Sequence, residues 1–310
     1  MEKLNTPFLR IVLLCLIAIF WISSANAQKK SSTSELALSL GGANILSDLG
    51  GSRDVGHGFI VDLEFATTRP VLGLFFRQNF NRHLSARVNL YYAQLTGDDA
   101  LIPETTMGGN ARKYRNLSFK TNVIEASTNL EFNFLPYQPG SLRYRFTPYV
   151  MAGVGVFHFD PKAKMNGQWY KLQPLGTEGQ GLGQYPGKDY YSTMAVCVPF
   201  GAGIKLNVNK QYSLGFEIAH RMTTTDYMDD VSTTYANPAY FYEAYGPEKG
   251  ALIAALADRS SGENLAQTRP GEQRGDPSDN DTYTFSGLFT LSYLISSSSG
   301  VKSLYCPKKF

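Results

Sequence analysis

The mature part of this chain offers few residues for chemistry. Its imidazoles are His57, His83, His158 and His220, the side chains to which acid–base or nucleophilic work near neutral pH turns first. Asp160 follows His158 by two positions, and Ser192 could share a rim with His220. No spacing motif for a nucleophile and its base joins them, so polar rim residues are the simpler reading and no catalytic residue is assigned. Asp226, Asp229 and Asp230 could ligate calcium, but the EF-hand spacing is missing. These three carboxylates are therefore expected to structure their loop by turn and capping chemistry. Neither a metal nor a cofactor is predicted.

The elements that would position these residues alternate. Residues 282–294 read TYTFSGLFTLSYL, with Tyr283, Phe285, Phe289, Leu291 and Tyr293 on one parity and mostly Thr and Ser on the other. Such alternation is the mark of a strand with two unlike faces. Its length suits a bilayer, which a tilted strand of roughly 9–11 residues crosses. Seven more segments read as strands: 35–42, 70–80, 84–95, 117–134, 146–159, 194–206 and 212–221. In 117–134, Ile124, Ala126, Leu130, Phe132 and Phe134 share one face, while Leu117 and Phe119 have the opposite parity, which predicts a bulge near Asn122. Arg87, Lys120, Glu125, Glu131, Lys205 and Glu217 are expected to point inward, where charges of both signs can pair.

The connections sort by length. Residues 81–83, 135–145 and 207–211 are short; 45–69, 96–116, 160–191 and 222–281 are long. Short turns at one end and long loops at the other are the asymmetry of an outer-membrane barrel. The predicted fold is all-β: an eight-stranded antiparallel transmembrane β-barrel with short periplasmic turns and long extracellular loops. An eight-stranded barrel is just wide enough for side chains to fill it, which disfavours a porin. Within the fourth loop, 247–258 predicts a short amphipathic helix, and 259–281 a polar, mobile stretch.

Composition and the N-terminus agree. Lys3 and Arg10 precede an apolar run over 11–22, and Ala25-Asn26-Ala27 forms an A-x-A site, so 1–27 reads as a signal peptide. Loss of Glu2, Lys3 and Arg10 lowers the formal charge from +3 to +2, too little to argue for nucleic acid. The 19 Tyr, 19 Phe and 29 Gly suit barrel strands and their turns. A mean hydropathy of −0.21 does not count against a barrel, which hides its apolar residues at every second position. The mature barrel spans 28–295 and a periplasmic tail 296–310, with localisation in the outer membrane of a Gram-negative bacterium.

Several segments carry a resemblance. LGGANILSDLGG (40–51), RNLSFKTNVIEAS (115–127), PYVMAGVGVFHFDPKA (148–163), LQPLGTEGQ (172–180), TDYMDDVSTTY (225–235) and the terminal CPKKF resemble, in that order, the PorG-type barrels of the Bacteroidota type IX secretion system. Met228 stands where the pattern has Leu, and 240–280 lies outside the similarity. The resemblance implies a non-enzymatic outer-membrane component associated with a periplasmic ring of lipoprotein and partner subunits. Two alternatives stay open: a membrane-embedded hydrolase or acyltransferase, and a structural or adhesion barrel.

The cysteines bear on the partner. After signal removal Cys197 and Cys306 remain, in an oxidising compartment. Cys197 is expected roughly 25 Å above the short-turn end inside a filled lumen, whereas Cys306 follows the last strand on the opposite, periplasmic side. A disulfide needs Cα atoms within about 7 Å, so an internal bridge is disfavoured. Cys306 is expected to pair with a partner subunit, which on the resemblance is a ring lipoprotein.

Overall fold

The computed structural model describes residues 32–49, 67–101, 109–260 and 268–297. The segment expected to be a signal peptide, 1–27, and Cys306 with its tail lie outside them. Eight strands form the barrel: β1 (Thr33–Leu46), β2 (Arg69–Asn79), β3 (Leu84–Asp98), β4 (Ser118–Asn133), β5 (Phe146–His158), β8 (Met194–Asn207), β9 (Tyr212–Thr223) and β10 (Thr282–Ser297). Between β5 and β8 a small hairpin, β6 (Lys162–Met165) and β7 (Gln168–Lys171), extends the edge above β4. Every neighbouring pair is antiparallel, in the order β3-β2-β1-β10-β9-β8-β5-β4. A further β3–β4 ladder from Leu84↔Phe132 to Asp98↔Ser118 closes the circle. Closure removes the free edges that an open sheet would leave.

Burial alternates along each wall. In β1, Ala37 and Ser39 are buried while Leu38 and Leu40 are exposed. Leu72, Leu74, Leu90, Ile124, Leu130 and Val154 continue the exposed apolar set around the wall. The short connections lie at one end and the long loops at the other.

Two parity expectations need correction. β10 does not keep one face: Tyr283 and Phe285 are fully buried, whereas Phe289, Leu291 and Tyr293 are exposed. The register slips between Ser286 and Leu288. Gly287 takes φ 87° there, a left-handed backbone that favours glycine. The extra residue turns the upper part of β10 inside out, while Leu288 below it keeps the inward parity of Thr290 and Ser292. Gly41 meets this bulge from β1; a Cβ on it would stand 2.5 Å from the Gly287 carbonyl oxygen.

In β4 the predicted bulge near Asn122 is absent, and its pairing with β3 runs unbroken. Leu117 and Phe119 simply point inward with Glu125 and Glu131. The interior changes from polar to apolar towards the loop end, so a parity argument based on one inner polarity misreads it. Lys120 is therefore not an interior charge. It faces outward, with its ammonium 4.0 Å from the ring centroid of Trp169 on β7.

Helix α1 covers Gly109–Arg115, and α2 covers Pro238–Ala257. The predicted helix at 247–258 is only the second half of α2. Asn237 caps its start, accepting a bond from the Ala239 amide at 3.0 Å. Gly246, at φ 77°, breaks it before Pro247. The polar stretch expected at 259–281 is held down over its described part, where Arg274 is buried.

Candidate functional site

The barrel interior has two storeys. The lower one, towards the short turns, is a network of three carboxylates and three cations. Glu131 on β4 is its centre: Arg77 Nε lies 2.9 Å away, Lys205 Nζ 2.6 Å and Arg87 Nη1 3.3 Å. Arg87 also donates to Glu217 at 2.7 Å, and Arg77 reaches Glu35 at 3.4 Å. Neutral donors complete the shell: Tyr149 OH to Glu217 (2.6 Å), and Ser213 Oγ (2.9 Å) and Asn79 Nδ2 (3.0 Å) to Glu35. All six charged groups are buried, so each needs these partners to remain charged there. Carboxylates enclosed by donors in this way brace the wall.

Above them Arg221 Nε pairs with Glu125 at 3.1 Å, Tyr283 OH donates to the same carboxylate at 2.9 Å, and the guanidinium lies 3.5 Å from the Phe285 ring centroid. The upper storey is apolar. Ile45, Val71, Leu95, Phe119, Phe157 and Phe159 join Tyr283 and Phe285, with Leu49, Met228 and Val231 from the long loops closing the top. Cys197 is a free thiol in this core. The floor is closed by residues 134–145, whose Tyr137 is buried and donates its OH to Asn207 Oδ1 at 2.7 Å. Two cavities lie outside the charged network. One, about 840 Å³, is an outer-wall furrow lined by Leu38, Leu40, Leu72, Leu74 and Phe289. The other, about 660 Å³, opens at the floor beside Arg82, His83 and Tyr137.

The long loops form a cap built on two arginines. Arg115, ending α1, grips Asp99 through Nε (2.8 Å) and Nη2 (2.9 Å), and donates to the carbonyls of Asp48 (2.6 Å) and Arg274 (2.7 Å). That joins the first, second and fourth long loops. Arg274 donates to Glu178 Oε1 (3.1 Å) and to the carbonyls of Asp230 (2.6 Å) and Ala257 (3.1 Å), joining the fourth loop to the third. Glu178 also receives the amides of Ser232 and Thr233 at 3.0 and 3.1 Å. Burial alone would lower the Arg274 pKa, but Glu178 and Asp230 hold it above its ordinary value.

The three loop aspartates divide their work. Asp229 accepts from the Leu49 amide (2.9 Å) and the Val231 amide (2.9 Å). Asp230, in the left-handed region at φ 69°, accepts from Thr177 Oγ1 and, at 2.6 Å, from Tyr191 OH. Asp226 is half-buried and its Oδ2 has no hydrogen-bond partner. Burial pushes all three up: Asp226 to about 8, Asp229, with Asp48 adding repulsion, to about 7, and Asp230, partly offset by Arg274, to about 6. Asp281, which accepts the Met228 amide at 2.7 Å, is raised by burial and by Asp229. Among the described residues no His, Cys, Asp and Glu grouping has metal-binding geometry. The cluster fastens loops, and burial makes its carboxylates bind protons more tightly than free aspartate does.

The histidines do not converge. His220 bonds Thr284 Oγ1 at 2.8 Å and packs on Phe200. Phe200 pairs with Ala152, six residues below His158 on β5, or roughly 20 Å along the strand. Ser192 bonds the Met194 carbonyl, and Asp160 pairs with Lys162 at 2.9 Å. His83 Nδ1 meets the Asn133 carbonyl oxygen at 2.9 Å on the floor, and His57 lies outside the described residues. Arg115 and Arg274 are the residues that sequence spacing passed over, because their partners are backbone carbonyls and carboxylates that lie far from them along the chain.

These features define a closed eight-stranded antiparallel barrel with a filled lumen, short turns at one end and a loop cap at the other. The chain belongs to the family described as Domain of unknown function (DUF6089), whose model matches residues 10–174. Among solved structures, Neisserial surface protein A is similar at 9% identity and TM-score 0.37, covering 86% of this chain and 99% of that one. Ail, the attachment invasion locus protein of Yersinia pestis, solved with the heparin analogue sucrose octasulfate, gives 8%, 0.35, 86% and 98%. OprG of Pseudomonas aeruginosa gives 8%, 0.34, 86% and 98%. No curated protein matches the chain significantly.

Proposed function

We infer that this chain is a non-enzymatic outer-membrane barrel that anchors a partner assembly beneath its short-turn end. The observation that carries the reading is the outer wall. Leu38 is 64% exposed, Val154 63% and Phe289 67%, each beside an inward polar or small residue. A continuous apolar girdle of this kind is a liability in water and the required surface in lipid. Long loops then face outward and both termini face the periplasm. The filled lumen argues against solute conduction, and the scattered histidines argue against a hydrolase or acyltransferase.

On the resemblance carried by LQPLGTEGQ and TDYMDDVSTTY, the assembly is the type IX secretion machine. The partner is then a periplasmic ring lipoprotein reached through residues 296–310, with an intermolecular disulfide at Cys306. The test is genetic: deletion of the gene, with secreted cargo assayed beside lipid A structure. Lost cargo with unchanged lipid A supports the reading; altered lipid A with normal secretion refutes it. A second reading, an adhesion barrel, draws on exposed Trp169, Tyr190 and Tyr242 at the loop end. It predicts normal secretion and lost adherence in the same strain. The disulfide is checked on non-reducing gels of wild type and Cys306→Ser. A mixed-disulfide band that persists in the serine variant, or is missing from wild type, rules out Cys306 as the link.

A further inference from the structure

The short-turn end carries charge of one sign. Its three turns, 80–83, 134–145 and 208–211, contain Arg82, Arg143, Arg145 and Lys210 and no carboxylate. The flanking sequence continues the bias: 28–34 and 298–310 hold Lys29, Lys30, Lys302, Lys308 and Lys309, again without an acid. The four turn cations are exposed, and among the described residues none of them is in an ion pair. The carboxylates nearest to this end, Glu35 and Glu131, are buried in the lumen and already matched.

These cations sit on a single floor. Arg82 stacks over Tyr144 at 4.1 Å, its carbonyl accepts the Tyr137 amide at 3.0 Å, and Asn207 Nδ2 donates to the Gln138 and Ser141 carbonyls at 2.8 and 3.0 Å. The three turns are therefore one surface. Between the cations stand Leu135, Leu142 and Val208, all about half exposed, at the foot of the outer wall where Phe132, Phe134 and Phe146 continue the girdle. The floor cleft opens beside Arg82 and His83.

We propose that this end of the barrel binds the anionic phospholipid headgroups of the leaflet that it faces. The inference rests on the membrane reading above. Apolar side chains interleaved with cations at a bilayer boundary suit phosphate on one side and acyl chain on the other. An acidic protein surface would match the charge, but would not need the leucines at the foot of the girdle.

The test uses the full chain in neutral detergent, with retained lipid counted by native mass spectrometry after addition of phosphatidylglycerol and phosphatidylcholine in equal amounts. Surface cations at about 1 kcal/mol each correspond to roughly fivefold apiece. Wild type should therefore retain phosphatidylglycerol at least about tenfold over phosphatidylcholine. The Arg143→Gln/Arg145→Gln/Lys210→Gln variant, altered only at exposed positions, should fall towards equal retention while keeping its heat-modifiable gel mobility. Lys164→Gln/Lys171→Gln at the loop end should leave the preference intact. Equal retention by wild type, or an unchanged preference in the triple variant, overturns the proposal. If wild type instead binds poly-glutamate and shows no lipid preference, the floor serves an acidic protein. Absence of any heat-modifiable β-form in detergent overturns the membrane reading, and this inference with it.

Discussion

Glu131→Gln is the most informative single change in the lower lumen. The wild-type network balances Glu35, Glu131 and Glu217 against Arg77, Arg87 and Lys205, all buried. Glu131 alone meets all three cations, at 2.9, 3.3 and 2.6 Å. The amide keeps the volume but leaves the network one positive charge in excess. Removing one partner of a buried pair costs about 3–5 kcal/mol. With a urea slope of about 2–3 kcal/mol/M, the unfolding midpoint should fall by about 1–2.5 M. The assay is urea unfolding of the reconstituted barrel, followed by loss of the heat-modifiable band. The partner change Lys205→Met should cost less, because Glu131 keeps two arginines. Combined with Glu131→Gln it restores neutrality, so the double variant should be more stable than Glu131→Gln alone. If the two costs simply add, charge balance is not what the network supplies and the argument fails.

Three other outcomes follow from the cap and the bulge. Arg274→Met leaves Glu178 buried without its cation, at a local cost of about 3–5 kcal/mol. Limited proteolysis should then cut residues 172–191 and 225–235 of an otherwise heat-modifiable barrel. Because burial raises Asp226, Asp229 and Asp230 to about 8, 7 and 6, the folded cap binds more protons than the unfolded chain above pH 4. Cap stability should therefore fall as pH rises from about 4 to about 8 and then level off. Asp226→Asn/Asp229→Asn should flatten that profile in proteolysis normalised to an unfolded substrate, and a rise across the window would contradict the cluster's proposed state. Gly287→Ala forces a side chain into φ 87° at a cost of about 1–2 kcal/mol. Slower assembly into the heat-modifiable form should reveal it, whereas Ser286→Ala beside it should have little effect.

The strands were legible in the sequence because a barrel wall writes its two environments into alternate residues. All eight segments, and the sorting of turns from loops, could be read from that pattern. What failed was the assumption that the inner face has one polarity. Charge inside the lower half of β4 suggests an inward Lys120, yet at its upper end the inner positions are Leu117, Phe119 and Val123. Tyr283 and Phe285 share a parity with Phe289, Leu291 and Tyr293, and parity alone puts all five on one face. One glycine at 287 reverses the face of the first two, and a lone glycine in a strand cannot announce its own φ. The cap was less legible still. Asp229 and Asp230 stood out by type, but their partners Leu49, Thr177 and Tyr191 lie far off in sequence.

This division between wall and ends also limits what the barrel can do. A lower lumen filled by matched charges and an upper lumen filled by Phe157, Phe159 and Tyr283 leave its work to surfaces. The outer wall is uniform in character and suited to lipid on every side. The ends are not alike. At one, Arg115 holds carbonyls from the first and fourth loops, and Arg274 ties the fourth loop to Glu178 of the third. At the other, 134–145 is pinned between two turns and displays cations. On the function proposed above, a barrel with two differing ends, fixed across the outer membrane, would transmit position rather than solute. Loosening the cap with Arg274→Met, or neutralising the floor with Arg143→Gln/Arg145→Gln/Lys210→Gln, should therefore impair what that end binds before it impairs the barrel, and the two variants separate the ends in one strain set.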